Sequence, residues 1–138
     1  MRFKEYIGKS LTVYHGTKSP IERFDPSRQL SGYYPGFYTT SDEGRARTVH
    51  GQVVYSFEID PERFFPIDRA NEDRVKAEAG RAGFRTSQGS GWGEVQYLKS
   101  QGYAGIRRGT EYIVFEPDKT LKLGRPIDAG ERDSGNEI

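Results

Sequence analysis

Three residues in this sequence have side-chain types and settings suited to chemistry on a polar ligand: His15, Tyr38 and Glu111. His15 follows the apolar, β-prone run Leu11–Tyr14 and precedes Gly16-Thr17. Counted at a period of two it shares a strand face with Leu11 and Val13, a position that suits packing as readily as binding. Tyr38 lies in the strand-like segment Gly36–Thr40 (GFYTT), where a tyrosine ordinarily fills the core. Glu111 opens the run EYIVF and alternates with Ile113 and Phe115. A carboxylate on the apolar face of a strand is costly unless it is paired, solvated at the strand end or used. The chain has two histidines, His15 and His50, and no cysteine, so disulfides and thiolate metal sites are excluded. No metal site is expected.

These residues need elements to hold them. Residues 17–35 contain Ser19-Pro20, Asp25-Pro26, Ser31-Gly32 and Tyr34-Pro35, which predicts a long ordered loop. Loops of more than about 12–15 residues inside a compact domain are usually functional or disordered, and Ile21, Phe24, Leu30, Tyr33 and Tyr34 argue for order. Ser41, Asp42 and Glu43 read as a helix N-terminus, with acids favoured in the first turn, and the helix stops by Gly51. Val53–Asp60 alternates cleanly, with Val53, Tyr55, Phe57 and Ile59 on one face, and Pro61 closes it.

Residues 71–82 suggest a polar surface helix capped by Asn71, and residues 83–92 a second loop rich in Gly. Glu94–Gln101 reads as a helix. Tyr103–Arg107 and Glu111–Phe115 read as strands joined by the tight 108–110 turn, and Lys119–Leu123 as a last strand. Trp92, in Gly-Ser-Gly-Trp-Gly, is expected in the core, with a recognition anchor as the alternative. The sum is an α+β domain over residues 1–125. A polar C-terminal tail, residues 126–138, lacks the apolar surface to dock and is expected to be flexible.

Length and composition agree with one domain and one modest core: 138 residues, 33% hydrophobic, with nine Tyr, eight Phe and one Trp supplying much of the buried area. A net charge of +1 gives no global field toward nucleic acid or membrane. No apolar run approaches the roughly 20 residues of a membrane span, and the N-terminus lacks the apolar stretch of a secretory signal. A cytoplasmic protein is expected, of the producing or the target cell, with secretion by a signal-peptide-free route compatible.

The order of these features is itself informative. A strand ending in Tyr-His-Gly-Thr, a long loop, Gly-x-Tyr with a short helix, an alternating strand, and then Glu-Tyr-Ile-Val after a tight turn resembles the ADP-ribosyltransferase fold of the H-Y-E type. Diphtheria toxin-like enzymes and poly(ADP-ribose) polymerases share that fold. The resemblance spans residues 11–124. It implies split β-sheets with short inserted helices, NAD as co-substrate, and His15, Tyr38 and Glu111 as the catalytic core.

By that resemblance His15 hydrogen-bonds the adenosine ribose, Gly16 meets the nicotinamide carboxamide beside Thr17, and Tyr38 stacks on the nicotinamide ring. Glu111 accepts from the 2′-hydroxyl of the nicotinamide ribose. The nicotinamide leaves as a cation becoming neutral, so no general acid is needed. The carboxylate stabilises an oxocarbenium-like sugar of the kind met in glycoside hydrolysis. The positions that carry a serine and a second stacking tyrosine in the polymerases hold Ala46 and Val49 here, leaving Tyr33, Tyr34 or His50 as substitutes for that ring. Arg28 is the candidate for the NAD pyrophosphate.

The implied activity is transfer of single ADP-ribose units to a macromolecular acceptor, protein, DNA or RNA, in the manner of small bacterial or phage toxins and effectors. A cognate antitoxin or immunity protein would be the matching partner. Gly109 stands where arginine-modifying relatives carry an acid, which argues against an arginine acceptor. Arg107 and Arg108 are read by default as a solvated turn, with contact to a phosphate of NAD or of a nucleic-acid acceptor as the alternative. Two other readings remain. An RNA 2′-phosphotransferase shares the fold and the His-Gly-Thr start but relies on several arginines in place of a strand-opening Glu. A non-catalytic module would hold NAD or ADP-ribose without turnover.

Overall fold

The computed structural model describes residues 10–24, 34–50, 53–85 and 91–127, with the side chains of Val49 and His50 outside that description. The strands are β1 (Leu11–Thr17), β2 (Phe37–Thr40), β3 (Val53–Ile59), β4 (Phe64–Pro66), β5 (Gly105–Arg108) and β6 (Glu111–Val114). The helices are α1 (Glu43–His50), α2 (Glu72–Arg81), α3 (Trp92–Ser100) and the single turn α4 (Pro117–Thr120). A 3-10 turn, Pro61–Arg63, leads into β4. The architecture is α+β.

All six strands join one sheet in the order β3-β1-β2-β6-β5-β4. Neighbours are antiparallel except β4 and β5. The two separate sheets expected from the resemblance are therefore hydrogen-bonded into one, but unevenly. β1 and β3 pair from Leu11↔Ile59 to Thr17↔Val53, whereas β1 and β2 share the single Cα pair Tyr14↔Thr40. The division expected between two sheets is a weak joint within one.

Opposed residues of antiparallel strands share a face, so the register sorts the side chains. One face carries Val13, Phe57, Phe37, Val114 and Tyr112, with Phe64 beside them. The other carries Tyr38, Ile113 and Ile106, covered by Val75 of α2 and by Val95 and Leu98 of α3. Gly105 lets the strands approach: a Cβ there would sit 2.1 Å from the Ile113 carbonyl and 2.4 Å from the Phe64 ring.

Several local expectations shift. β1 continues through His15 and Gly16 to Thr17, because β3 offers a ladder partner at every position. The cap of α1 is Asp42, whose Oδ1 accepts from Arg45 N at 3.1 Å. Asn71 precedes α2 but does not cap it. Its Oδ1 accepts from Asp68 N at 2.8 Å and its Nδ2 donates to Pro66 O at 2.8 Å, so the side chain closes the preceding turn. The last strand expected over Lys119–Leu123 is absent, because Pro117 starts a helical turn in which Lys119 N and Thr120 N donate to Glu116 O.

Trp92, expected in the core, is 56% exposed at the start of α3. β4 carried no sequence signal beyond Phe64-Phe65, too short a run to show periodicity. The tail boundary at 126 falls inside the ordered fold, since Ile127 N donates to Val54 O at 2.5 Å in an antiparallel bridge to the edge strand β3. No helix among the described residues is long and apolar enough to cross a membrane.

Candidate functional site

Alternation places His15 on the opposite face of the sheet from Tyr38 and Glu111. His15 lies with Val13 and faces Tyr55 across the β1–β3 ladder. Tyr38 opposes Ile113, and Glu111 stands between Thr40 and Arg108 in a row that reaches Tyr14. In a continuous sheet these two sets would never meet. They meet here because the ladder between β1 and β2 stops at one pair.

Tyr38, two residues before Thr40, turns its carbonyl to the β1 side, where a regular ladder would supply an N–H. The imidazole supplies one instead: His15 Nδ1 lies 2.6 Å from Tyr38 O. A carbonyl only accepts, so this contact puts a ring proton on Nδ1. Phe37 holds the imidazole from one side, with centroids 4.2 Å apart and planes 27° apart. The result is a cavity of about 270 Å³ at the joint, lined by residues from both faces. His15, Tyr38 and Glu111 share it with Tyr14, Thr39 and Thr40, and Arg45, Arg108 and Thr110 complete the wall.

Tyr38 is pinned at its hydroxyl, which donates to Tyr34 O at 2.7 Å and accepts from Tyr34 N at 3.2 Å. Burial pushes the Tyr38 pKa above its usual value of 10.0; the bond to Tyr34 opposes this, and the charge of Glu111 adds to the rise. The phenol therefore stays protonated and keeps its donor. Tyr34 itself is buried, and its pKa is pushed up to about 12, first by desolvation and then by the charges of Glu72 and Glu94, with Arg108 opposing. That burial in the core under α2 and α3 makes Tyr34 an anchor for the end of the long loop, and it is not among the cavity-lining rings.

Glu111 opens β6 beside a two-residue turn, with Gly109 at φ 63. The turn is tied to the start of α1 by Ser41 N donating to Thr110 O at 2.8 Å. Arg108, opposite Glu111, also lies 3.5 Å from Glu72 of α2. Among the described residues no group of three or more His, Cys, Asp or Glu is placed to hold a metal ion.

The other site residues expected from sequence divide differently. Gly16 is buried in β1 opposite Val54, and Thr17 Oγ1 accepts from Ser19 N at 3.4 Å; neither lines the cavity. Arg28, Tyr33 and the side chain of His50 lie outside the described residues. Sequence reasoning missed Arg45, Thr40 and Tyr14. Alternation from Tyr38 would have found Thr40, but only the pairing register brings Tyr14 to the same row.

No family profile matches the chain, and no curated protein sequence matches it. Among solved structures, one described as a crystal structure of an anti-CRISPR protein matches with a TM-score of 0.43 and 16% identity, covering 77% of this chain and 90% of that one. At that identity and TM-score the likeness bears on neither activity nor partner.

Proposed function

We propose that this chain is a NAD-dependent mono-ADP-ribosyltransferase acting on a macromolecular acceptor. One observation carries the reading: His15, Tyr38 and Glu111, drawn from three strands and from both faces of the sheet, line one cavity. A cavity of about 270 Å³ is just below the roughly 300–1,000 Å³ typical of drug-sized ligands, so it takes one end of a dinucleotide and not the whole.

In this reading the Tyr38 ring, fixed at its hydroxyl by Tyr34, forms the stacking wall for nicotinamide. Glu111 accepts from the ribose 2′-hydroxyl and sets a fixed negative charge near the carbon that becomes electron-poor. The bond from that carbon to the nicotinamide nitrogen breaks, its electron pair leaves with the now neutral nicotinamide, and the acceptor's lone pair forms the new bond while its proton passes to solvent. His15, held through Nδ1 by Tyr38 O, supplies the wall that meets a ribose hydroxyl.

The test is incubation with NAD carrying a label on its adenosine, with and without a cell lysate, followed by protease or nuclease. Nicotinamide release together with label in macromolecules is expected, and the digestion that removes the label names the acceptor class. NAD binding without nicotinamide release would overturn the reading in favour of a binding module. Loss of 2′-phosphate from RNA without retained label would overturn it in favour of a phosphotransferase.

A further inference from the structure

The cavity wall carries two guanidinium groups and one carboxylate. Arg108 stands opposite Glu111 across the β5–β6 ladder and is held from the α2 side by Glu72 at 3.5 Å. Arg45 sits in the first turn of α1, its backbone N–H fixed by Asp42. Its helix neighbour Arg47 is taken up by Glu43 at 3.0 Å, whereas Arg45 lines the cavity with no ion pair among the described residues. The hydroxyls of Thr40 and Thr110, 3.5 Å apart, belong to the same wall.

Two guanidinium groups at the Glu111 end would oppose the growth of positive charge on a sugar carbon, because like charges repel. They make chemical sense if the ligand brings its own anion to that end. Guanidinium forks and hydroxyl donors are the groups that hold phosphate oxygens.

We infer that Arg45 and Arg108, with Thr40 and Thr110, form a phosphate-binding subsite at the Glu111 end of the cavity. The inference deepens the proposed function and rests on it for the origin of the phosphate. That phosphate belongs either to the diphosphate of NAD or to the acceptor.

Binding of inorganic pyrophosphate to the full chain, measured by calorimetry, tests the subsite without any turnover. Micromolar to millimolar binding that weakens with salt is expected. Arg45→Gln and Arg108→Gln should each weaken it by about tenfold, or ~1.4 kcal/mol. Arg45→Lys should restore part of the loss, and Arg74→Gln, which removes a cation paired with Glu78 on α2, should change nothing. Arg45 is exposed, so its variants keep the test valid should Arg108→Gln fail to fold.

Competition separates the sources. If ADP-ribose displaces pyrophosphate, the subsite takes the NAD diphosphate. If a 5′-phosphorylated oligonucleotide displaces it while ADP-ribose does not, the subsite takes the acceptor. Absence of pyrophosphate binding, or binding unaltered in both arginine variants, would overturn the inference. Absence of nicotinamide release with pyrophosphate binding intact would count against the transferase reading alone.

Discussion

β1 and β3 are paired from end to end, at seven positions, while β1 and β2 meet at one. On the far side of that joint, β2 and β6 pair at four positions and β6 and β5 at four more. Two well-laddered halves thus meet across a seam that has almost no ladder of its own. A sheet segregates its faces strictly, and only where pairing lapses can side chains from both faces reach one space. The seam also leaves a backbone carbonyl, that of Tyr38, in need of a donor, and His15 fills that need. The halves give rigidity and the seam gives the site.

If catalysis belongs to the seam, its largest response should come from Glu111. Glu111→Gln keeps the shape and removes the anion, so nicotinamide release should fall by ~10²-fold or more with little change in NAD affinity. Turnover close to wild type would remove Glu111 from the chemistry. In the laddered half, Gly105→Ala should instead cost stability, about 1–3 kcal/mol, since its Cβ meets a backbone carbonyl and the Phe64 ring. Chemical denaturation checks this, and an unchanged midpoint would mean that β5 shifts freely.

His15→Ala addresses both regions, because it removes the Tyr38 carbonyl's donor as well as a proposed ligand contact. We expect about 1–2 kcal/mol of lost stability together with weaker NAD binding, read by denaturation and calorimetry. Stability lost with NAD binding intact would confine His15 to holding the seam.

A smaller effect should be visible in alkali. The Tyr34 pKa of about 12 exceeds the ordinary 10.0, so the folded state holds this proton where the unfolded chain releases it. The associated stability is complete below pH 10 and fades as the pH rises toward 12. Tyr34→Phe should flatten this decline, measured as the denaturation midpoint across that range, and an unchanged slope would contradict the burial of the phenol. Smallest of all, deleting the chain from Pro126 should cost about 1 kcal/mol relative to deleting it from Asp128. The difference is the Ile127–Val54 bridge at the edge of the long ladder. Equal melting temperatures would show that β3 does not need it.

The amphipathic elements were legible in the sequence because their periodicity is local. Val53, Tyr55, Phe57 and Ile59 announce β3 and its buried face, and the Glu-Tyr-Ile-Val run announces β6. What failed to show was whatever depends on partners distant in the chain. β4 is three residues long and exists because β5 is there to pair with it. Asn71 looks like a cap until Asp68 and Pro66 compete for its side chain. Of the site, His15, Tyr38 and Glu111 stood out by residue type and order, whereas Arg45 looked like any helix arginine. Its role depends on where α1 starts relative to the seam, and no local pattern encodes that.

The turn at Gly109-Thr110 carries a consequence for how the site can diversify. Glu111 is the first residue after it, and a strand presents alternate side chains to alternate faces. One residue added ahead of Glu111 without a compensating bulge would carry Glu111 to the other face and put the inserted residue in its place. Tolerated length variants at this turn should therefore come in steps of two, or else arrive together with a bulge that absorbs the odd residue. A library of inserts between Arg108 and Glu111, sorted by function, would carry that parity as its signature.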